Sequence, residues 1–105
     1  LQRSAVLSSK QRRHLRSLAH SLKPVVHVGK GGIDDGLVAA VEQALLDHEL
    51  IKVKIGENTG MEREAAADAI AQKTKSDIAQ VLGNIVLLYR AHPDDPTIEL
   101  PPSGE

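Results

Sequence analysis

The apolar residues near the start of the chain predict a helix followed by a strand. A first set of leucines has the three- and four-residue spacing of one helical stripe: Leu15, Leu18 and Leu22. Ser8 or Ser9 can cap this helix. Pro24 ends it after about residue 22, since the residue before a proline avoids helical angles. Three β-branched valines then predict a strand over residues 24–28.

A second helix and a second strand follow. Asp34 or Asp35 can cap the helix, which is predicted to end near His48. Its apolar stripe consists of Leu37, Val38, Val41 and Leu45, with Leu46 at the margin. Residues 50–55 then alternate as in a strand with one buried face. The apolar side of that strand carries Ile51, Val53 and Ile55.

The last third of the chain predicts one more helix and a hairpin. An alanine-rich helix is expected over about residues 61–75, entered through the loop Asn58-Thr59-Gly60. Residues 78–82 and 85–90 are predicted strands, because the Gly-Asn pair between them favours a tight hairpin. Residues 98–100 are expected to add a short edge strand. The order α-β-α-β-α-β-β predicts a single α/β domain with a mixed sheet.

Composition narrows the class of protein. The chain has 105 residues, of which 41% are hydrophobic, and this suffices for one compact domain. Tyr89 is the only aromatic residue, so the core must be aliphatic. Without cysteine there can be no disulfide and no thiolate metal site. Because the sequence also lacks a membrane-length apolar run and a signal-like start, we expect a cytoplasmic protein.

Charge is divided unevenly along the chain, although the net charge is only −1. Residues 1–33 contain seven Lys or Arg and no acid, whereas residues 34–105 contain six Lys or Arg and all 14 acids. Three arginines of the first helix lie opposite its leucine stripe. A solvated surface helix usually mixes both signs, so an acid-free one favours contact with a polyanion. The candidate contacts are Arg12, Arg13, Arg16 and Lys23.

The loop after the first strand is the second candidate site. It consists of Gly29, Lys30, Gly31 and Gly32. Glycines let another backbone approach closely, and free N–H groups in such a turn suit phosphate oxygens, as in the GxxG clamp of KH domains. Asp34 and Asp35 would repel a phosphate on the helix axis, so the contact is assigned to the loop amides and Lys30. Taken alone, such a motif is more often a tight turn that needs glycine for its geometry.

No catalytic or metal-binding pattern is found in the sequence. The loop lacks Walker A spacing, and Asp34 stands where a dinucleotide fingerprint needs its third glycine. The five histidines form no close ligand set, and no serine has a recognisable nucleophile setting. We therefore expect no enzymatic activity, no cofactor and no metal. With one aromatic residue, RNA cannot be read by stacking on several rings, which leaves contacts to its backbone and shape.

Three segments of the chain resemble the CRM domain, and in particular its stand-alone bacterial YhbY-like members, and they occur in the same order as in that family. They are residues 22–26 with the glycine loop that follows, residues 48–55 and residues 81–90. The resemblance covers about residues 10–100. It implies an α/β fold similar to the C-terminal domain of a bacterial translation initiation factor. That fold is a two-layer βαβαββ core with a mixed four-stranded sheet, here with an added N-terminal helix.

The resemblance also implies a function. One CRM-like domain is expected at residues 8–100, and residues 1–7 and 101–105 lie outside the matched region, as an extension and a frayed tail. The resemblance implies RNA binding through the glycine loop and association with precursors of the large ribosomal subunit during ribosome assembly. A domain with this core is expected to be a monomer without membrane contact.

Two questions stay open in the sequence. The alternative to RNA binding is a protein-interaction adaptor on the ribosome or another ribonucleoprotein, whose acidic C-terminal two-thirds contacts a protein. A small hydrolase would need a convergent polar pocket, for which the sequence offers no residues. Lys52 and Lys54 either extend the basic surface across the sheet or keep a half-exposed strand soluble, and the second interpretation is preferred.

Overall fold

The molecule is built around one mixed sheet with helices on both of its faces. The computed structural model describes residues 7–57 and 62–102, so the predicted loop at 58–60 and the predicted helix start at Met61 lie outside the described residues. The elements, in chain order, are helix α1 (Ser9–Leu18), a 3-10 helix (Ala19–Ser21), strand β1 (Pro24–Val28), helix α2 (Asp35–His48), strand β2 (Leu50–Ile55), helix α3 (Arg63–Thr74), strand β3 (Asp77–Leu82) and strand β4 (Ile85–Tyr89). The predicted order of elements is confirmed.

The strands lie in the order β1-β2-β4-β3, with β1 parallel to β2 and the other neighbours antiparallel. Three register pairs define one end of the sheet: Val28 with Ile55, Lys54 with Ile85, and Leu82 with Ile85. The glycine loop Gly29–Gly32 follows β1 at this end, which we call the loop end. The predicted mixed four-stranded sheet is confirmed, and β1 and β3 are its edge strands.

Helices α2 and α3 pack on one face of the sheet, the first face. Asp34 caps α2 as the sequence predicts, since its Oδ1 accepts the N–H of Leu37 at 2.8 Å. The buried residues of this layer are aliphatic, as the composition requires. They include Val41 and Leu45 of α2, Ile70 of α3, Ile51, Val53 and Ile55 of β2, and Val86 and Leu88 of β4.

Helix α1 packs on the opposite face, the second face, over the end of the sheet that is remote from the loop end. Its start is fixed by a capping box, in which Ser8 and Gln11 each accept the other's N–H at 3.1 Å. The buried row consists of Leu15 of α1 and Ala19 of the 3-10 helix, four residues apart. The cluster beneath it contains Leu7, Leu50, Ala79, Leu87 and Tyr89. The N-terminal helix therefore has its own small core.

The predicted leucine stripe of α1 is buried only in part. Leu15 is fully buried, whereas Leu18 keeps 43% and Leu22 keeps 37% of its surface exposed. Ala19 takes the position next to Leu15 along the helix, so the two other leucines lie beside the contact with the sheet. Leu46, at the margin of the α2 stripe, is likewise 39% exposed.

The C-terminal segment is held mainly by the side chain of Glu49, with a further hydrogen bond from Gln11 to the carbonyl of Pro101 at 3.0 Å, and not by a strand ladder. The predicted edge strand at 98–100 is wrong, because these residues form no strand. The carboxylate of Glu49 accepts the N–H groups of His92 (2.7 Å), Thr97 (3.0 Å) and Ile98 (2.9 Å). It also accepts the hydroxyl of Thr97 at 2.7 Å. Backbone donors that a neighbouring strand would have satisfied are thus satisfied by Glu49.

Glu49 is well suited to hold this segment. It follows α2 with a left-handed φ of 66°, and only 3% of its surface is exposed. Burial raises the pKa of its carboxyl, but the hydrogen bonds from His92, Thr97 and Ile98 more than offset burial and lower the pKa from 4.5 to about 2. Glu49 is therefore ionised at neutral pH, and it ties the end of α2 to the segment that runs beside α1.

Candidate nucleic-acid interface

The glycine loop is a tight turn with an exposed tip. The N–H of Gly32 donates to the carbonyl of Gly29 at 2.9 Å, and Gly32 has a φ of 67°, which favours glycine. A Cβ on Gly29 would meet open space, so the fold does not require glycine there. Among the described residues, no acceptor takes the N–H groups of Lys30 and Gly31. These two amides and the Lys30 ammonium are available to an anion.

Asp34 limits how an anion can approach this loop. One of its carboxylate oxygens caps α2, and the other lies 3.1 Å from the place that a Cβ on Gly31 would take. The negative charge therefore lies beneath the turn and occupies the positive end of the helix dipole. A phosphate is excluded from the helix axis and is restricted to the exposed side of the loop.

More acids lie at the loop end, on the side of the first face. The N–H of Gly56 donates to the carbonyl of Val28 at 2.9 Å, and a Cβ on Gly56 would lie 2.7 Å from that oxygen. Glycine is required here because the two strand ends approach so closely. A groove of about 440 Å³ adjoins this contact, and its charged lining residues are Glu57, Glu62, Arg63 and Glu64. A polyanion is repelled from this side.

Helix α1 directs its cations away from the second face. Arg13 is exposed and Arg16 is half-buried. Arg12 is engaged within the fold, because its guanidinium donates to the carbonyl of Leu7 at 2.7 Å and to Ser9 Oγ at 3.4 Å. No acid of the described residues pairs with any of these arginines. We call the three residues Arg12, Arg13 and Arg16 the arginine face. Of these, Arg13 and Arg16 are the more available to an anion.

The structure does not bring all the predicted residues into one cluster. Lys23 lies just before β1, whereas the glycine loop begins just after it. Lys23 and Gly29 are six residue steps apart along an extended chain, a distance of roughly 20 Å. Lys23 and the arginine face lie towards the end of the second face that α1 covers, and Lys30 lies at the loop end.

A basic strip that α1 leaves uncovered connects these two groups. His27 pairs in register with Lys54, and both side chains are exposed. Lys52 is next on the same face of β2, and its Nζ donates to the carbonyl of Leu22 at 2.9 Å. We call His27, Lys52 and Lys54 the open strip. Lys52 braces the turn after the 3-10 helix, while Lys54 has no acceptor in the described part of the chain.

His27 was not predicted to be part of this surface, and Lys54 was interpreted mainly as a residue that keeps the strand soluble. Alternation within β2 identifies the outward side of that strand, but it does not tell which residue of β1 lies beside it. The parallel register brings His27 next to Lys54 and aligns the whole strip with the glycine loop. A comparison of the outward positions of the two predicted strands could have found this pair.

The one aromatic side chain takes no part in the surface. Tyr89 is 7% exposed and belongs to the cluster beneath α1. Burial, together with the negative charges of Glu49 and Asp77, raises the pKa of its phenol. The described residues therefore offer no exposed aromatic ring on which a base could stack.

Two other kinds of site are not found within residues 7–57 and 62–102. No three His, Asp or Glu side chains there converge in a way that could hold a metal ion. No helix in the same residues is long and apolar enough to cross a bilayer.

Proteins similar to this chain match nearly its whole length. It is 38% identical over 96 residues to the probable RNA-binding protein YqeI of Bacillus subtilis, which covers 91% of this chain and 100% of that protein. It is 41% identical over 95 residues to an RNA-binding protein of Haemophilus influenzae, and the match covers 90% of this chain and 95% of that protein. The solution structure of the hypothetical protein SAV1595 from Staphylococcus aureus matches with a TM-score of 0.77 and 36% identity, over 91% of this chain and 100% of that one. The predicted fold is confirmed.

A family model identifies the domain itself. Residues 7–90 match the CRS1/YhbY (CRM) domain. The match begins at Leu7, in the cluster beneath α1, and ends just after β4, so it includes the arginine face, the glycine loop and all four strands. The resemblance seen in three sequence segments is confirmed: the chain belongs to the CRS1/YhbY (CRM) domain family.

Proposed function

We propose that this chain is a non-enzymatic RNA-binding protein whose RNA lies on one side of the molecule. The RNA runs from the glycine loop across the open strip to the arginine face of α1. Relatives from Bacillus subtilis and Haemophilus influenzae are named as RNA-binding proteins, which supports this class of partner.

The observation that carries the proposal is the distribution of charge over the two faces of the sheet. Helix α1 carries four Lys or Arg and no acid, whereas α2, on the other face, carries three acids and no Lys or Arg. The open strip adds cationic side chains to the α1 side. An RNA backbone is therefore attracted to α1 and the open strip and repelled from α2.

The chemistry of the surface fits a sugar-phosphate backbone. Lys30, Lys54, Arg13 and Arg16 can each neutralise a phosphate, and the amides of the glycine loop can donate to phosphate oxygens. Asp34 and the acidic groove exclude the backbone from the α2 and α3 side of the loop. The path across the second face is the one that leaves the phosphates near cations throughout.

The experiment that tests the proposal compares two lysines on opposite faces. Lys30→Ala should weaken RNA binding about tenfold, because one charge-assisted contact is lost. It should also reduce the slope of log affinity against log salt by about 0.7 to 1, as expected for one phosphate contact. Binding is measured by fluorescence anisotropy with labelled ribosomal RNA fragments, at several salt concentrations.

Lys73→Ala is the matched control, because Lys73 is an exposed lysine of α3 on the first face. Its affinity and its salt slope should equal those of the wild type. Equal losses in the two variants, or none in either, would contradict the proposed surface. Wild-type protein that shows no salt-dependent binding to RNA but binds a ribosomal protein would instead establish the adaptor function.

We further propose that the RNA belongs to precursors of the large ribosomal subunit. This step rests on the resemblance of the chain to YhbY-like proteins. Crosslinking of the chain to RNA in cells, followed by sequencing, should recover large-subunit ribosomal RNA, and Lys30→Ala should reduce the yield. Recovery of unrelated transcripts in place of ribosomal RNA would contradict the assembly role without contradicting RNA binding.

A further inference from the structure

An apolar groove lies beside the arginine face and is not used by the backbone path described above. Its volume is about 490 Å³, within the range of small-ligand sites. The groove opens between the end of α1, the start of β1 and the C-terminal segment. Its aliphatic walls include Leu18, Leu22, Val25 and Ile98.

Three aliphatic side chains in the walls of this groove are exposed to solvent, although packing of the fold would have favoured burying them. Leu18, Leu22 and Val25 are exposed by 43%, 37% and 52%. The register between β1 and β2 shifts between Pro24 and Val26, so Val25 lies in a bulge of the edge strand. Such a bulge redirects a side chain out of the regular ladder, here towards the groove.

The charge around the groove identifies the kind of molecule that fits it. Five of its nine lining residues come from the acid-free first third of the chain, and none of the nine is acidic. Lys23 and His48 are the basic groups among them. A ligand with a flat apolar surface and a negative charge attached to it matches aliphatic walls next to a lysine. A nucleotide has this combination.

We propose that the groove holds one unstacked base of the bound RNA, with Lys23 on the adjoining phosphate. The proposal rests on the RNA-binding function and deepens it, because it gives a contact to a base where the open strip and the loop contact only the backbone. Apolar side chains can hold the faces of an extruded base without any aromatic ring. Leu22 and Val25 provide two of the walls, while Lys23, between them in sequence, contacts the phosphate.

The test separates bases from phosphates. Two labelled probes are used, a random-sequence RNA of about ten nucleotides and an abasic ribose-phosphate chain of the same length and charge. Wild-type protein should bind the RNA about tenfold more tightly than the abasic chain, near the low end of what a base stacked on an aromatic ring contributes, because the walls here are aliphatic. Leu22→Gln with Val25→Thr should reduce this preference to about twofold, since both changes keep side-chain size and remove apolar surface.

Leu82→Gln is the control variant, because Leu82 is 67% exposed at the opposite edge of the sheet. It should keep the full preference for the RNA probe. Equal affinity of the wild type for both probes overturns the base site, while binding of both probes that weakens in Lys30→Ala leaves the proposed function standing. Failure of the wild type to bind either probe overturns both. Concentration-dependent self-association that the groove variant abolishes assigns the groove to a protein contact, and likewise overturns the base site.

Discussion

Helices α1 and α2 lie on opposite faces of the same sheet and differ in almost every respect. All the charged side chains of α1 are cationic, and its buried row is short, consisting of Leu15 continued by Ala19 of the 3-10 helix. The outer surface of α2 is acidic, and its buried residues join the larger core with α3. The second layer is thus small and highly charged, and the first is larger and provides most of the packing.

This difference shows how a division along the sequence becomes a division in space. The acid-free first third of the chain forms α1, β1 and the glycine loop, and the acidic remainder begins at the cap of α2. Because β1 is an edge strand, the chain crosses from the second face to the first at the edge of the sheet, through the glycine loop. The sheet itself then keeps the two charged surfaces apart.

The largest expected effect concerns the packing of the two layers. Leu45→Ala should reduce the free energy of unfolding by about 4 kcal/mol, and Leu15→Ala by about 2 to 3 kcal/mol, because Leu15 lies in the smaller cluster. Both leucines are fully buried, and Leu46→Ala, at a half-exposed neighbour, should cost less than about 1 kcal/mol. Urea unfolding followed by circular dichroism measures all three. Equal costs for Leu15 and Leu45 would show that α1 is as integral to the core as α2.

The next effect concerns where charge lies, as opposed to how much there is. Arg13→Glu with Arg16→Glu should weaken RNA binding about 100-fold, because two cationic contacts become repulsive. Asp47→Lys with Asp68→Lys changes the net charge by the same amount in the opposite direction, but on the first face. This control should strengthen binding less than about threefold. If the two pairs change the affinity by equal and opposite factors, net charge alone governs binding, and the contrast between the faces has no functional meaning.

A smaller effect concerns the tie between the two layers, Glu49. Its folded-state pKa of about 2 is below the usual 4.5, so the ionised form contributes stability above pH 4.5 and loses it as pH falls towards 2. The contribution should be roughly 2 kcal/mol after an allowance for solvent screening. Glu49→Gln should remove it, so the stability difference between wild type and variant should shrink as the pH is lowered from 6 to 3. If the free energies of unfolding of wild type and variant instead differ by the same amount at every pH in this range, Glu49 holds the segment by shape alone.

Much of the fold could be predicted because its signals are local. Ser8 and Asp34 cap helices where the sequence places caps, and the alternation in residues 50–55 gives a strand with one buried face. The edge strand at 98–100 was predicted from local β-propensity and is absent. The donors of that segment are satisfied by Glu49, about 48 residues earlier, and no local pattern contains such a partner.

The candidate site was predictable in its parts but not in its arrangement. The charge of α1 and the glycines after β1 are visible in the sequence, and the structure places both on exposed surfaces. The distance between Lys23 and Lys30, the engagement of Arg12 with Leu7, and the pairing of His27 with Lys54 all depend on register and on packing between distant segments. These are tertiary properties, and propensity carries no information about them.

The burial of Tyr89 beneath α1 gives the molecule an intrinsic optical reporter. Because the chain has no tryptophan or phenylalanine, its near-ultraviolet absorbance and its fluorescence come from this one phenol. The ring reports on the layer between α1 and the sheet, and it is shielded from any molecule on the outer surface of that helix. Tyrosine emission can therefore follow the docking of α1 during refolding, and, once corrected for light absorbed by the RNA, it should stay constant during an RNA titration that leaves this layer intact.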